Sequence, residues 1–359
     1  MLYVGIDQHR KQLTVCVRSE EGDVILGRQV STEWGRARAF LKDLGQRAGS
    51  EGFVVILEVC GFNDWLLKLL EEYGCRETIL IQPEKRSKKK TDRRDANALC
   101  EILWVNRQRL LAGKKVQGVR RIQLPCEEDA EARQVTELRK RLGQLCTRTI
   151  NRIKHLLRKH NLEQECPTKG LDTIRGRKWL ATLALGVMDR LEMDLLLEQW
   201  ELWRKQIETL DGQIRQRQRK SDRAAVIATI PGCAAYSSLA LASRIGAIDR
   251  FPRPASLANY WGLTPGCRNS GEATDRLGSI TKQGSAMARF ILGQLVLHVL
   301  RRDATMKGWY QRIKKRRGSK IARVAVMRRL ATIIWQMVKN HEPYLIGGPP
   351  RRRLKSQVA

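Results

Sequence analysis

The chain has 359 residues, with 68 Lys or Arg against 37 Asp or Glu, a net charge of +31 and a pI near 10.4. Its apolar fraction of 42% is enough for sizeable cores and excludes global disorder. Such a charge on a compact body calls for a polyanionic partner, DNA or RNA before an anionic membrane surface.

No apolar run approaches the roughly 18 residues of a membrane span. The longest candidate, Phe290 to Leu300, is interrupted by Gln294 and His298. Met1 to Asp7 reads as a strand, not a signal peptide. The nine Cys include no CxxC pair, which argues against a structural zinc site and fits a reducing cytoplasm.

The elements alternate over the first part of the chain. Leu2 to Asp7 is a short apolar run, Gln12 to Arg18 alternates, Glu20 to Asp23 is a turn, and Val24 to Val30 returns. These three segments predict an antiparallel meander. Trp34 to Gln46 has helical spacing, with Trp34, Ala37, Phe40, Leu41 and Leu44 inward. Phe53 to Leu57 is a continuous apolar run, as in a central strand covered on both faces. Phe62 to Tyr73 is an amphipathic helix, Glu77 to Ile81 a strand, and Thr91 to Arg107 a helix. The predicted order is β-β-β-α-β-α-β-α, which allows the first and fourth strands to be neighbours; if they are, Asp7 and Glu58 lie side by side.

The middle is helical and basic. Arg139 to Lys159 holds eight Lys or Arg and no acid, including Arg152 and Lys154. Val135, Leu138, Leu142 and Leu145 keep heptad spacing, and Leu196, Trp200, Trp203, Ile207, Leu210 and Ile214 form a second stripe with coiled-coil periodicity. A helical hairpin within one chain and self-association through one stripe are both open, with a break at Pro167 to Gly176. Beyond Ala224, Ile230-Pro231-Gly232 precedes a helix from Ser237 to Ile245. A glycine-rich stretch runs from Gly262 to Gly284, followed by an apolar helix, Ala286 to Leu300. Arg301 to Arg329 holds twelve Lys or Arg and one acid, Asp303, too lopsided for an ordinary salt-bridged surface. Gly347 to Arg353 reads as a basic tail.

Asp92 and Asp95 sit in Lys88-Lys89-Lys90-Thr91-Asp92-Arg93-Arg94-Asp95. If Thr91 caps a helix, the two carboxylates share one face. They could face a hard divalent cation while Lys88, Lys89, Lys90, Arg93 and Arg94 hold phosphates; the bland alternative is a solvated helix start. Asp7 and Glu58 end their strands, where ligands and metals commonly sit in α/β sheets. Four acids on one edge repel each other strongly unless cations are bound.

Gly5-Ile6-Asp7, Ile56-Leu57-Glu58-Val59-Cys60-Gly61 and Lys90-Thr91-Asp92-Arg93-Arg94-Asp95-Ala96 resemble the Asp, Glu, Asp, Asp motifs of the DEDD insertion-sequence transposases. Thr229-Ile230-Pro231-Gly232, Ser237-Ser238, Gly262-Leu263-Thr264-Pro265, Ser270-Gly271 and Ile280-Thr281-Lys282-Gln283-Gly284, with Arg289 after them, resemble that family's second characteristic domain. The resemblance implies a ribonuclease-H-like (RuvC-like) mixed-sheet domain, α/β in class, over 1–125. The stripes and composition give a basic helical coiled-coil region over 126–223 and a flexible basic tail over 346–359, and the resemblance implies a mostly helical serine-bearing domain over 224–345. It implies that Asp7, Glu58, Asp92 and Asp95 bind Mg²⁺ and that Ser238 attacks the scissile phosphate, with Ser237 one residue away in register. Lys282 and Arg289 join Arg152 and Lys154 as nucleic-acid contacts. The implied partners are target and donor DNA, a noncoding bridge RNA and further copies of the chain as a dimer or tetramer, with no membrane. Gln8-His9-Arg10 and Gln283-Gly284-Ser285 depart from the commoner family pattern. Two other readings use the same residues: a metal-dependent nuclease or junction resolvase without a covalent serine step, and a non-enzymatic nucleic-acid scaffold.

Overall fold

The computed structural model describes residues 1–82, 92–267 and 277–346, without the side chains of Asp92, Arg93, Cys267 and Leu277. The chain forms two compact units, Met1–Leu124 and Pro125–Ala359.

The first unit follows the predicted order. β1 (Leu2–Gln8), β2 (Gln12–Arg18) and β3 (Val24–Ser31) are followed by α1 (Trp34–Ala48), β4 (Phe53–Glu58), α2 (Asp64–Glu72), β5 (Cys75–Ile81), α3 (Asp92–Val105) and the short α4 (Arg107–Leu111). The strands form one mixed sheet in the order β3-β2-β1-β4-β5, with β1 antiparallel to β2 and parallel to β4. Val4, Ile6, Val55 and Leu57 face a core shared with Leu41 and Leu66. Tyr3, Val54, Ile56 and Ile79 face the opposite core, closed by Leu99 and Leu103 of α3. Burial on both faces explains why β4 reads as an unbroken apolar run. Trp34 departs from its expected inward place. It opens α1, is largely exposed, and lies edge-on to Trp65 with ring centroids 5.7 Å apart.

In the second unit, α5 (Glu127–Lys159) and α7 (Val187–Arg219) form an antiparallel hairpin, with α6 (Ile174–Thr182) between them. Ion pairs fix its direction: Arg217 with Glu131 at 3.0 Å, Arg139 with Asp211 at 3.1 Å, and Lys159 with Asp189 at 2.7 Å. At one end Ile153, Leu157, Met193 and Trp200 share a small core. At the other, Ala132 and Ile214 join the main core of the later helices, so the sequence boundary at Ala224 falls inside a shared core. Leu138 lies on the exposed side of α5, off the predicted stripe.

The later elements are α8 (Asp222–Ala228), α9 (Ala235–Ile245), α10 (Pro254–Tyr260), β6 (Pro265–Cys267), β7 (Leu277–Ile280), α11 (Ala286–Arg302) and α12 (Ala304–Asn340). Asp303, the lone acid of the basic stretch, is buried and caps α12 by accepting from Met306 N at 2.8 Å. Tyr344 donates to its other oxygen at 2.6 Å, and burial is the main cause that pushes the phenol above its usual range. The helical path of α12 breaks at Gly318 (φ 81, ψ 166), a backbone conformation open mainly to glycine. No helix among the described residues is long and apolar enough to cross a membrane.

Candidate active site

The acids of the first unit are placed by strand register. The β1–β4 ladder pairs Ile6 with Leu57, so the next positions along the two parallel strands are Asp7 and Glu58. Neighbouring strands run about 4.8 Å apart. Alternation puts Asp7 on the side of Tyr3 and Gly5, and Glu58 on the side of Ile56, which is the α3 side of the sheet.

Gly5 lets that helix come close. A Cβ there would lie 2.5 Å from the Cys100 amide nitrogen and overlap the Ala96 carbonyl. Cys100 Sγ donates to the Tyr3 carbonyl at 3.2 Å. Ala96 therefore sits over Gly5 and Cys100 extends back toward Tyr3, so α3 runs antiparallel to β1. Its first turn, which bears Asp92 and Asp95, lies toward the ends of β1 and β4.

The loop after Glu58 is held by Asn63. Its amide donates to Gln8 Oε1 at 2.8 Å and to the Glu58 carbonyl at 3.2 Å, and its oxygen accepts from Cys60 N at 2.5 Å. Gln8 in turn donates to the Phe62 carbonyl at 3.0 Å. His9 Nε2 lies 3.1 Å from Asp7 Oδ2. Gln8, His9 and Asn63 were absent from the sequence-derived site. A buried polar residue at a strand end, followed by an Asn just before a helix, was the only available signal. The departure at Gln8-His9 thus falls beside Asp7 itself.

Asp7 and Glu58 offer hard oxygen donors from adjacent strand ends, with the Asp7 side chain 15% exposed. That donor set suits Mg²⁺, which takes one or two carboxylates and keeps several waters. Among the described residues no group of three or more metal-ligating side chains is assembled. The Asp92 side chain lies outside the described residues, as do Lys88, Lys89, Lys90 and the capping residue Thr91. The Arg93 side chain is likewise outside, whereas Arg94 is exposed on α3.

In the second unit the family-like glycine motifs zip together. Thr281 N donates to Thr264 O at 3.0 Å and Lys282 N to Gly262 O at 3.2 Å. A Cβ on Gly284 (φ +118) would overlap the Tyr260 carbonyl, so glycine is required there. Ser285 caps α11, accepting from Ala288 N at 3.1 Å. Lys282 is exposed at a left-handed φ of 54. Arg289 is half-buried and donates to the Trp261 carbonyl at 3.0 Å and the Gly284 carbonyl at 3.2 Å, so it braces this turn. Arg152 pairs with Glu192 across the hairpin at 2.7 Å, and Lys154 is half-buried.

Ser238 occupies a different setting. It has 0% exposure, and its hydroxyl donates to the Ala235 carbonyl at 3.2 Å. Every residue from Ser238 to Ile245 is buried, including Arg244, which pairs with Glu137 at 2.9 Å. Burial lowers the Arg244 pKa from its ordinary value, and the Glu137 contact opposes this. In this conformation the Ser238 oxygen is sealed from any phosphate. Ser237 is half-buried. Ser270, beside Gly271, lies outside the described residues.

Comparison with known families and proteins agrees with both ends of the chain. Residues 4–162 match the DEDD transposase model of the IS110 type, and residues 224–311 match the Transposase IS116/IS110/IS902 family. The transposase for insertion sequence element IS1111A of Coxiella burnetii is 26% identical over 362 residues, covering 96% of this chain and 91% of that protein. A putative transposase of Sinorhizobium fredii is 26% identical over 81% of this chain and 74% of its own. A probable family 20 transposase of Pseudomonas aeruginosa is 24% identical over 82% and 86% of the two chains. The mixed sheet with its acid-bearing edge, the basic helices and these two matches place the chain in the IS110-type DEDD insertion-sequence transposase family, whose members act on DNA.

Proposed function

We propose that this transposase cleaves and exchanges DNA strands in a Mg²⁺-dependent reaction on a ribonuclease-H-like sheet, passing through a covalent phosphoserine link. The observation that carries this reading is the placement of Asp7 and Glu58 on adjacent parallel strand ends, on the side that α3 covers. Asp7 and Glu58, with Asp92 and Asp95 from the first turn of α3, would hold the ions. Bound there, Mg²⁺ supplies charge neutralisation at the scissile phosphate and at the attacking and leaving oxygens. Asn63 and Gln8 fix the Glu58 backbone, and His9 orients the Asp7 carboxylate.

In the serine step an Oγ–phosphorus bond replaces one phosphodiester bond, the serine proton leaves to a base or to water, and the departing sugar oxygen takes up a proton. Rejoining reverses the exchange with a different DNA hydroxyl, so the bond energy is conserved and no ATP is needed. Ser238 is the position implied by the family motif. Its burial favours a second assignment within the same matched region. Ser243 is also buried and Ser285 is engaged as a helix cap, whereas Ser237 and Ser256 are half-buried and Ser279 is exposed; Ser237, one residue away in register, and Ser270 of the Ser270-Gly271 motif are the serines to set against it. The charge of +31 supports simultaneous binding of DNA and a guide RNA, with base pairing reading sequence and the protein reading backbone. Self-association, as a dimer or tetramer, would bring the DNA ends together.

Covalent trapping tests the reading. Protein co-expressed with its flanking noncoding RNA is mixed with labelled target and donor DNA and Mg²⁺, then denatured. The expected result is label on the protein, lost in Asp7→Ala and in the variant of the attacking serine, Ser237→Ala, Ser238→Ala or Ser270→Ala. Cleaved DNA without an adduct would make the protein a resolvase-like nuclease. Binding with neither product, in the presence of the RNA, would leave a scaffold.

A further inference from the structure

A groove of about 760 Å³ lies in the second unit between the β6–β7 hairpin and α12. Its floor is apolar, with Trp309, Ile321 and Val324 along the helix, and Ile321 is 55% exposed. Arg317, Lys320 and Arg328 line the same groove, and among the described residues no acid does. Arg317 and Lys320 flank the break at Gly318. Arg329 stacks over the Trp309 ring at 5.0 Å from its centroid and braces it. Thr332 and Gln336 add polar groups at the far end.

An apolar floor with a cationic rim matches one polymer shape. Duplex DNA hides its base faces in the stack and presents only phosphates and groove edges, so it gains nothing from exposed Ile and Trp. A single strand offers both an anionic backbone and bare base faces, which stack on aromatic and apolar side chains while Lys and Arg follow the phosphates. We propose that this groove binds single-stranded DNA, with an unstacked base on the Trp309–Ile321 floor and the backbone along Arg317, Lys320 and Arg328. The choice of DNA rests on the strand-exchange reading, because exchange of strands leaves DNA transiently unpaired.

The test uses the full chain and fluorescence anisotropy with a short labelled oligothymidine, a duplex of equal length and an oligouridine. The variants are Ile321→Ser and the pair Lys320→Gln with Arg328→Gln, all at exposed positions; Trp309 is kept because it packs against the main core. Single-strand DNA affinity is expected to fall about tenfold in each variant, and duplex affinity by less than about threefold, since other basic surfaces remain. A strand carrying 5-iodouracil is expected to crosslink to the peptide containing Trp309. Equal losses for duplex and single strand, or a crosslink mapping elsewhere, would overturn the proposal. So would RNA binding about tenfold tighter than DNA through these residues, which would make RNA the occupant. Groove binding intact with no protein–DNA adduct would sustain this site and overturn the recombination reading; the reverse pattern would overturn the site alone.

Discussion

The acid-bearing sheet edge and the serine helix carry the two halves of the proposed chemistry, and they are built in opposite ways. Asp7 and Glu58 each end a strand whose earlier residues are buried, so register places the carboxylate while the apolar part of the strand anchors it. Ser238 sits inside a helix that is buried from Ser238 to Ile245, where packing decides what each side chain meets. A residue at the end of an element is presented by it, whereas a residue within a helix stretch buried on all sides is enclosed by the core.

Five substitutions break or sharpen this contrast. Gly5→Val should have the largest effect, because no side chain fits beneath Ala96 and Cys100. We expect a loss of about 3 kcal/mol or more in denaturant unfolding, with cleavage lost alongside. An unchanged midpoint would refute the seating of α3 on β1. Asp7→Asn and Glu58→Gln should leave the unfolding transition in place yet lower DNA cleavage by about a hundredfold or more, read in a single-turnover assay with Mg²⁺. Retention of activity in both would remove the sheet edge from the chemistry.

Asn63→Ala tests the loop that holds Glu58. It strips partners from Gln8 and Cys60 N, and a loss of about 2 kcal/mol is expected by thermal or chemical unfolding. Ser238→Ala should be the mildest. It removes only a hydroxyl bonded to Ala235 O, so stability should change by less than about 1 kcal/mol. On the buried reading the DNA adduct survives in this variant and disappears in Ser237→Ala or in Ser270→Ala. Adduct loss in Ser238→Ala with the fold intact would show that α9 opens when DNA binds.

Much of the first unit was legible because its signals are local. Alternation in Gln12 to Arg18 and the unbroken run Phe53 to Leu57 follow directly from one-sided and two-sided burial. Element order allows the pairing of β1 with β4 without requiring it, and the sheet adopts that pairing, which brings Asp7 toward Glu58. Trp34 was misread because helical spacing cannot tell whether a first-turn aromatic faces the core or the adjacent helix surface. Arg289 is expected as a nucleic-acid contact from the resemblance to the family's second domain, and nothing in the sequence signals that its guanidinium also donates to two backbone carbonyls.

The sequence by itself determined the basic character of the chain, the strand and helix order of the first unit, and the acids that close its strands. Those properties depend on composition and on periods of two and 3.6 residues, which neighbouring residues carry. Only the tertiary structure decided that the stripes of α5 and α7 pair with each other in one chain, that Asn63 holds the Glu58 loop, that Ser238 is sealed, and that α12 and the β6–β7 hairpin enclose a cationic groove. Each of these depends on contacts between residues distant in the chain, and local pattern does not specify which distant surfaces meet.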